Sequence, residues 1–273
     1  KVNYDKFPST KISGTILRGW NDIHTLLMEC FKSRKVLAVE LYAGVREDEV
    51  INELKSLSPT LLINTRDLMK PENEIKEMTE RFMTKDVLFG YVTNLSLKDY
   101  FDAGKLEVAR KQVAANDRVI VVGSGAAMIA QAEATLVYVD MARWEIQQRF
   151  RAHEVKALGV DNREDAVSLQ YKRGYFNDWR VLDKYKEGLF DKADFWLDTH
   201  IANDPRMIDR ETFFKGIEET IKTPFRVVPF FDPAPWGGQW MKEVCGLNPE
   251  KENYGWCFDC VPEENSLYFE VNG

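Results

Sequence analysis

Residues 117–152 read DRVIVVGSGAAMIAQAEATLVYVDMARWEIQQRFRA, and the order of patterns in them decides the fold class. Val119 to Val122 is a short apolar run, β-branched enough for a fully buried strand. Gly123-Ser124-Gly125 breaks it where a parallel strand hands over to a loop or helix. A second buried run, Leu136 to Val139, ends on Asp140. From Met141 the period changes: Trp144, Ile146 and Phe150 alternate with Arg143, Glu145, Gln147, Gln148, Arg149 and Arg151, as on a half-exposed helix. Strand, glycine turn, strand and basic helix is how α/β proteins build a crevice at the carboxyl ends of their strands.

The same alternation runs upstream. Ile23 to Phe31 has helical spacing, Val36 to Leu41 is an apolar strand, and Glu47 to Leu57 is a second amphipathic helix. Leu61 to Ile63 is a short strand, Glu72 to Met83 a charged helix, and Phe89 to Val92 a further strand. Leu97 to Val113 reads as helix with a break at Gly104. Downstream, the aromatic and charged run 170–180, QYKRGYFNDWR, reads as a half-buried lid or packing loop. Phe195 to Asp198 is a strand with an acid at its end, and Arg210 to Thr220 a helix. The expected fold is α/β, a three-layer, mostly parallel sheet over residues 1–223. Residues 224–273, rich in proline and aromatics, read as a small β appendage that has to pack on something else.

At 273 residues and 44% hydrophobic content the chain can bury a real core, and no apolar run approaches the ~18 residues of a membrane span. A net charge of −7 argues against a nucleic-acid polymer as partner. The four cysteines, Cys30, Cys245, Cys257 and Cys260, are too few and too uneven for a disulfide framework, which points to a reducing cytoplasm. Cys257-x-x-Cys260 lies in an aromatic run and reads as structural rather than as a metal or redox pair. A start at Lys1, without methionine or a signal-like run, points to an excised segment.

Two stretches carry a family likeness. The tail runs from Pro224 through Pro235-Trp236-Gly237-Gly238 to Tyr254-Gly255-Trp256-Cys257-Phe258 and Pro262-Glu263-Glu264-Asn265-Ser266. It is similar to the opening strands of class I mannose-6-phosphate isomerases, which are cupin enzymes. The whole chain resembles the N-terminal region of long bacterial proteins of that type, in which an α/β region precedes the cupin. The stretch around Asp140-Met141-Ala142-Arg143-Trp144 resembles a P-loop nucleoside kinase core. The first likeness implies hexose-phosphate metabolism and a cupin in cis; the second implies phosphoryl transfer.

The residues depart from both families. A P-loop needs GxxxxGK[ST] after the first strand, but Gly44 is followed by Val45 and Arg46. The isomerases' zinc site needs a Gln-x-His pair, a glutamate and a further histidine; His24, His153 and His200 lie in no such motif. Zinc is therefore expected only in a cupin that follows in the parent protein, and no cofactor in this chain. The candidate phosphate or ligand site comprises Gly123, Ser124 and Gly125 as an N–H cradle, with Asp140, Arg143, Arg149 and Arg151 beside it and Lys172, Arg173, Asp178 and Arg180 from the aromatic run. No catalytic residue can be named. Three functions fit: a regulatory domain binding a phosphorylated sugar or nucleotide, a phosphotransferase with an unorthodox phosphate loop, or a scaffold that docks a cupin.

Overall fold

A computed structural model describes residues 9–130, 133–222, 242–246, 248 and 267–273. Its backbone divides into two compact units. The larger comprises Thr15–Met141 and Glu145–Arg210; the smaller gathers Lys1–Gly14, Ala142–Trp144 and Glu211–Gly273. Segments from both ends of the chain contribute to the smaller unit.

The smaller unit pairs β1 (Thr10–Ile12) with β9 (Phe269–Val271), in parallel register from Thr10↔Phe269 to Ile12↔Val271. Helix α9 (Arg210–Ile221) supplies the packing: the Phe213 and Phe269 rings meet edge-on at 6.2 Å, and a Cβ at Gly216 would lie 2.7 Å from the Phe269 ring. Glycine at 216 is what allows that approach. Trp236-Gly237-Gly238 and Cys257-x-x-Cys260 lie outside the described residues.

The larger unit is a seven-stranded sheet: β2 (Ile16–Arg18), β3 (Val36–Leu41), β4 (Leu61–Asn64), β5 (Val119–Val122), β6 (Thr135–Asp140), β7 (Phe195–Asp198) and β8 (Arg206–Asp209). Their order is β2-β8-β7-β6-β3-β5-β4. The five strands β7 to β4 are mutually parallel, while β8 and β2 add antiparallel pairs at one edge. Strands buried on both faces have no polar side to show, and β5 is fully buried along its length. Between strands run α1 (Gly19–Ser33), α2 (Glu47–Lys55), α3 (Glu72–Met83), α4 (Ala103–Ala115), α5 (Ala126–Ala130), α6 (Arg143–Arg151), α7 (Val167–Arg173) and α8 (Trp179–Glu187).

Two expectations are corrected. Residues 89–92 are not a strand but part of a loop whose Val87, Leu88, Phe89, Tyr91 and Val92 side chains are all exposed. Gly90 packs against the Phe82 carbonyl and the Phe176 ring there, so the chain turns away from the sheet. The run 170–180 is neither lid nor loop. It is the end of α7, a π-turn over Gly174–Asp178, and the start of α8, with Gln170, Lys172, Arg173, Asn177 and Asp178 buried. The N–H of Trp179 reaches back to the carbonyl of Gly174, five residues away, which marks the wide turn.

Candidate functional site

Strands β3 and β5 are neighbours, yet β3 leads on to β4 on one side and β5 leads on to β6 on the other. Where connections diverge in this way, a crevice opens outside the carboxyl ends of the strands. A cleft of about 410 Å³, counted out to open solvent, occupies that place. Tyr42 to Val45 line it after β3, Asn64 to Arg66 after β4, and Gly123 and Ser124 after β5; Lys156 to Leu158 and Leu182 close the far wall.

Arg66 is the main cation of the cleft. Its Nε donates to Glu47 Oε2 at 3.0 Å and its Nη2 to Glu47 Oε1 at 2.7 Å, a two-pronged pair that leaves both side chains about a quarter to a third exposed. Burial alone would lower the Arg66 pKa, but the hydrogen bonds and charge of Glu47 more than offset it and hold the guanidinium charged. Asn64 caps the turn by accepting the Arg66 N–H at 3.0 Å, which fixes where the arginine leaves the backbone. Lys156 stands opposite, 3.7 Å from Asp161. Arg163 forks onto the same carboxylate and pulls its pKa down to about 2. Thr65 is 1% exposed, lines the cleft, and its hydroxyl has no hydrogen-bond partner among the described residues.

The glycine turn is placed at the cleft, but its donors are engaged. Glu40, buried in β3, accepts the Gly125 N–H at 2.5 Å and the Ala127 N–H at 3.0 Å. Ser124 Oγ donates to the Leu41 carbonyl at 2.7 Å. The cradle that a phosphate would use is thus occupied by the chain's own carboxyl group. Gly123 has a φ of +124°, and a Cβ there would fall 2.1 Å from Thr65 Oγ1, so the glycine is required by the fold whatever its ligand role.

The other candidate residues do not converge on one point. Arg149 is buried and acts as a staple. It donates to the carbonyls of Gly44 (2.8 Å), Thr199 (3.0 Å) and His200 (3.1 Å), and its Nε bonds Glu145 (2.9 Å). Arg143 is buried and Arg151 exposed, where Arg151 bonds Gln148 at 3.4 Å. Lys172 donates to the Asp86 carbonyl and Arg180 to the Tyr175 carbonyl, with its guanidinium 4.4 Å from the Tyr175 ring centre. Arg173 and Asp178 do lie together, buried at the two ends of the π-turn.

Asp140 has a partner no sequence pattern revealed. It binds Lys186 of α8, whose ammonium lies 5.4 Å from the Tyr42 and Tyr138 ring centres and 5.8 Å from those of Phe190 and Trp196. On the same helix, Asp183 accepts the Tyr42 hydroxyl at 2.6 Å. Four rings and a carboxylate around one ammonium form a cation cage filled by the chain itself.

The family described as "Domain of unknown function (DUF8485)" matches residues 19–222, three quarters of the chain. The chain belongs to this family. No curated protein matches it. The DUF8485 region contains every residue of the cleft. Among its described residues no group of three or more His, Cys, Asp or Glu is placed to hold a metal ion, and no helix is long and apolar enough to cross a membrane. Arg66, Thr65 and Lys156 are site residues that sequence reading missed. The available signal was the polar cluster Asn64-Thr65-Arg66 directly after the apolar run Leu61 to Ile63.

Proposed function

We propose that this DUF8485 domain is a non-catalytic, cytoplasmic binding module for a small phosphorylated ligand, a sugar phosphate or a nucleotide. It would serve hexose-phosphate metabolism beside a cupin in the same parent protein. The observation that carries the reading is the Arg66 fork at the mouth of the cleft. Arginine takes phosphate and carboxylate in the same two-pronged geometry, and Glu47 now fills that geometry as an internal stand-in. Lys156 across the cleft and the Thr65 hydroxyl would supply further contacts.

The five parallel strands, counted in chain order from the β4 edge, run 2-3-1-4-5, an arrangement that supports a kinase-like ancestry. The position of a P-loop, between β3 and α2, argues against phosphoryl transfer. Tyr42 to Arg46 supply neither lysine nor a magnesium-holding hydroxyl, and α2 opens with Glu47, Asp48 and Glu49. Three carboxylates at a helix N-terminus occupy the end whose dipole would otherwise attract phosphate.

Titration calorimetry against mannose 6-phosphate, fructose 6-phosphate, UMP, ATP and inorganic phosphate tests the reading. We expect binding of at least one of them, lost in Arg66→Ala and about tenfold tighter in Glu47→Gln, which frees the fork. Binding that ignores both substitutions would sink it. Turnover of ATP by the unaltered protein would restore the phosphotransferase, and no binding at all would favour the scaffold.

A further inference from the structure

Behind the wall of the cleft lies a cluster of polar groups whose hydrogen-bonding capacity is unspent. Arg173, Asp178 and Tyr100 are 7%, 3% and 0% exposed. Arg173 Nη1 donates to Thr79 Oγ1 at 3.1 Å, and Asp178 Oδ2 accepts the Leu158 N–H at 3.0 Å. Arg173 Nε stands 3.5 Å from Asp178 Oδ2, an ion pair rather than a well-formed hydrogen bond. Arg173 Nε and Nη2, Asp178 Oδ1 and the Tyr100 hydroxyl have no hydrogen-bond partner among the described residues. Buried groups of this kind are ordinarily satisfied, and an exception calls for water or a ligand. Arg173 immediately precedes the π-turn and Asp178 ends it, a local distortion of a kind that recurs at functional sites, and the charges of both reach the Tyr100 hydroxyl.

The cluster adjoins the cleft at two places. Leu158, whose N–H holds Asp178, is part of the cleft wall. So is Met69, and the next residue, Lys70, donates its N–H to the Tyr100 carbonyl. Asp178 also feels the charge of Arg66 in the cleft as well as that of Arg173, although burial, the larger effect, raises its pKa.

We infer that Tyr100, Arg173 and Asp178 form an inner subsite of the cleft that takes an uncharged, hydroxyl-bearing part of a ligand. The unspent groups comprise donors on Arg173, an acceptor on Asp178, and a Tyr100 hydroxyl that can do either. An anion entering here meets Asp178, and a cation meets Arg173. A hydroxyl both accepts from the guanidinium and donates to the carboxylate from a single oxygen. The inference shares its entrance with the phosphorylated-ligand reading and deepens it, selecting a sugar over a nucleobase for the inner position.

Uncharged polyols test the subsite without phosphate. D-mannose, D-fructose and glycerol are titrated into the protein and into its Tyr100→Phe and Asp178→Asn variants, with inorganic phosphate in parallel. Saturable millimolar binding of a polyol is expected, weakened about three- to tenfold by Tyr100→Phe. Removing a hydroxyl that lacks a protein partner should leave the melting temperature of that variant unchanged or higher, so loss of binding is not mistaken for loss of fold. The inference falls if no polyol binds saturably, as it would if the cluster holds water alone, or if both variants bind as tightly as the unaltered protein. Phosphate binding that fails while a polyol binds would overturn the phosphate reading and leave the subsite standing.

Discussion

The carboxyl group of Glu40 receives the backbone N–H of Gly125 at 2.5 Å, from a position wholly inside the sheet. Strand β3 thereby places an acid where the glycine turn after β5 would hold a phosphate. Burial pushes the Glu40 pKa up to about 8, although the N–H groups of Ala127, Gly125 and Ala126 work in the opposite direction. The turn is an anion cradle in form, and the chain fills it.

The raised Glu40 pKa has a signed consequence for stability. Between about 4.5 and 8 the folded protein keeps a proton that the unfolded chain has released. Stability is therefore greatest, for this group, below about 4.5 and falls as pH rises to about 8, with a slope approaching about 1.4 kcal/mol per pH unit. Urea unfolding between pH 5 and 9 should show that decline in the unaltered protein and a flatter profile in Glu40→Gln. Parallel profiles would mean that Glu40 does not titrate in this window.

Arg149 and Arg151, two residues apart on α6, should respond very differently to truncation. Arg149→Met removes a buried guanidinium that ties Gly44 to Thr199 and His200, leaving three carbonyls short of a donor. A loss of about 3–5 kcal/mol is expected. Arg151→Ala, on the exposed side, should stay within about 0.5 kcal/mol. Equal costs in denaturant titrations would refute the staple.

Lys186 is held by Asp140 and four aromatic rings and is only 20% exposed. An ordinary surface pair contributes little, but an ammonium partly withdrawn from water and enclosed by rings contributes more. Lys186→Met should cost about 1–2 kcal/mol, and Lys186→Arg, which keeps the charge, should cost less. A neutral Lys186→Met in thermal unfolding would show that the rings merely pack.

The loop carrying Leu88 and Phe89 exposes five large apolar side chains in six residues, flanked by Lys85 and Asp86. Such a stretch favours self-association at high concentration. The double substitution Leu88→Lys and Phe89→Ser should reduce light scattering in concentrated solution while changing stability by less than about 0.5 kcal/mol. A larger loss of stability would mean that these side chains are packed in solution.

Much of the α/β order was legible because buried parallel strands leave a simple mark. Val36 to Leu41, Val119 to Val122 and Phe195 to Asp198 become strands with those same limits. Helix α3 likewise spans Glu72 to Met83. The errors come from places where local composition and environment disagree. Phe89 to Val92 has strand composition but pairs with no strand, and its large apolar side chains stay exposed. Residues 170–180 have the mixed composition of a surface loop because their charged groups are buried against one another and against backbone carbonyls. Strand β8 escaped notice because four residues, two of them charged, carry no periodic signal.

The candidate site divides in the same way. The sequence by itself determined that a glycine turn follows a buried strand, that the P-loop lysine is missing, and that charged groups cluster near Asp140 and Arg173. Those are properties of neighbours along the chain. Only the tertiary structure decided that Glu40 occupies the glycine turn 85 residues away, that Arg149 serves three carbonyls, and that Arg66 faces Glu47 across the mouth of the cleft. The reason is that a buried polar group must be satisfied by whatever the fold brings beside it. Its partner is chosen by strand order and register, which no local pattern of residues encodes.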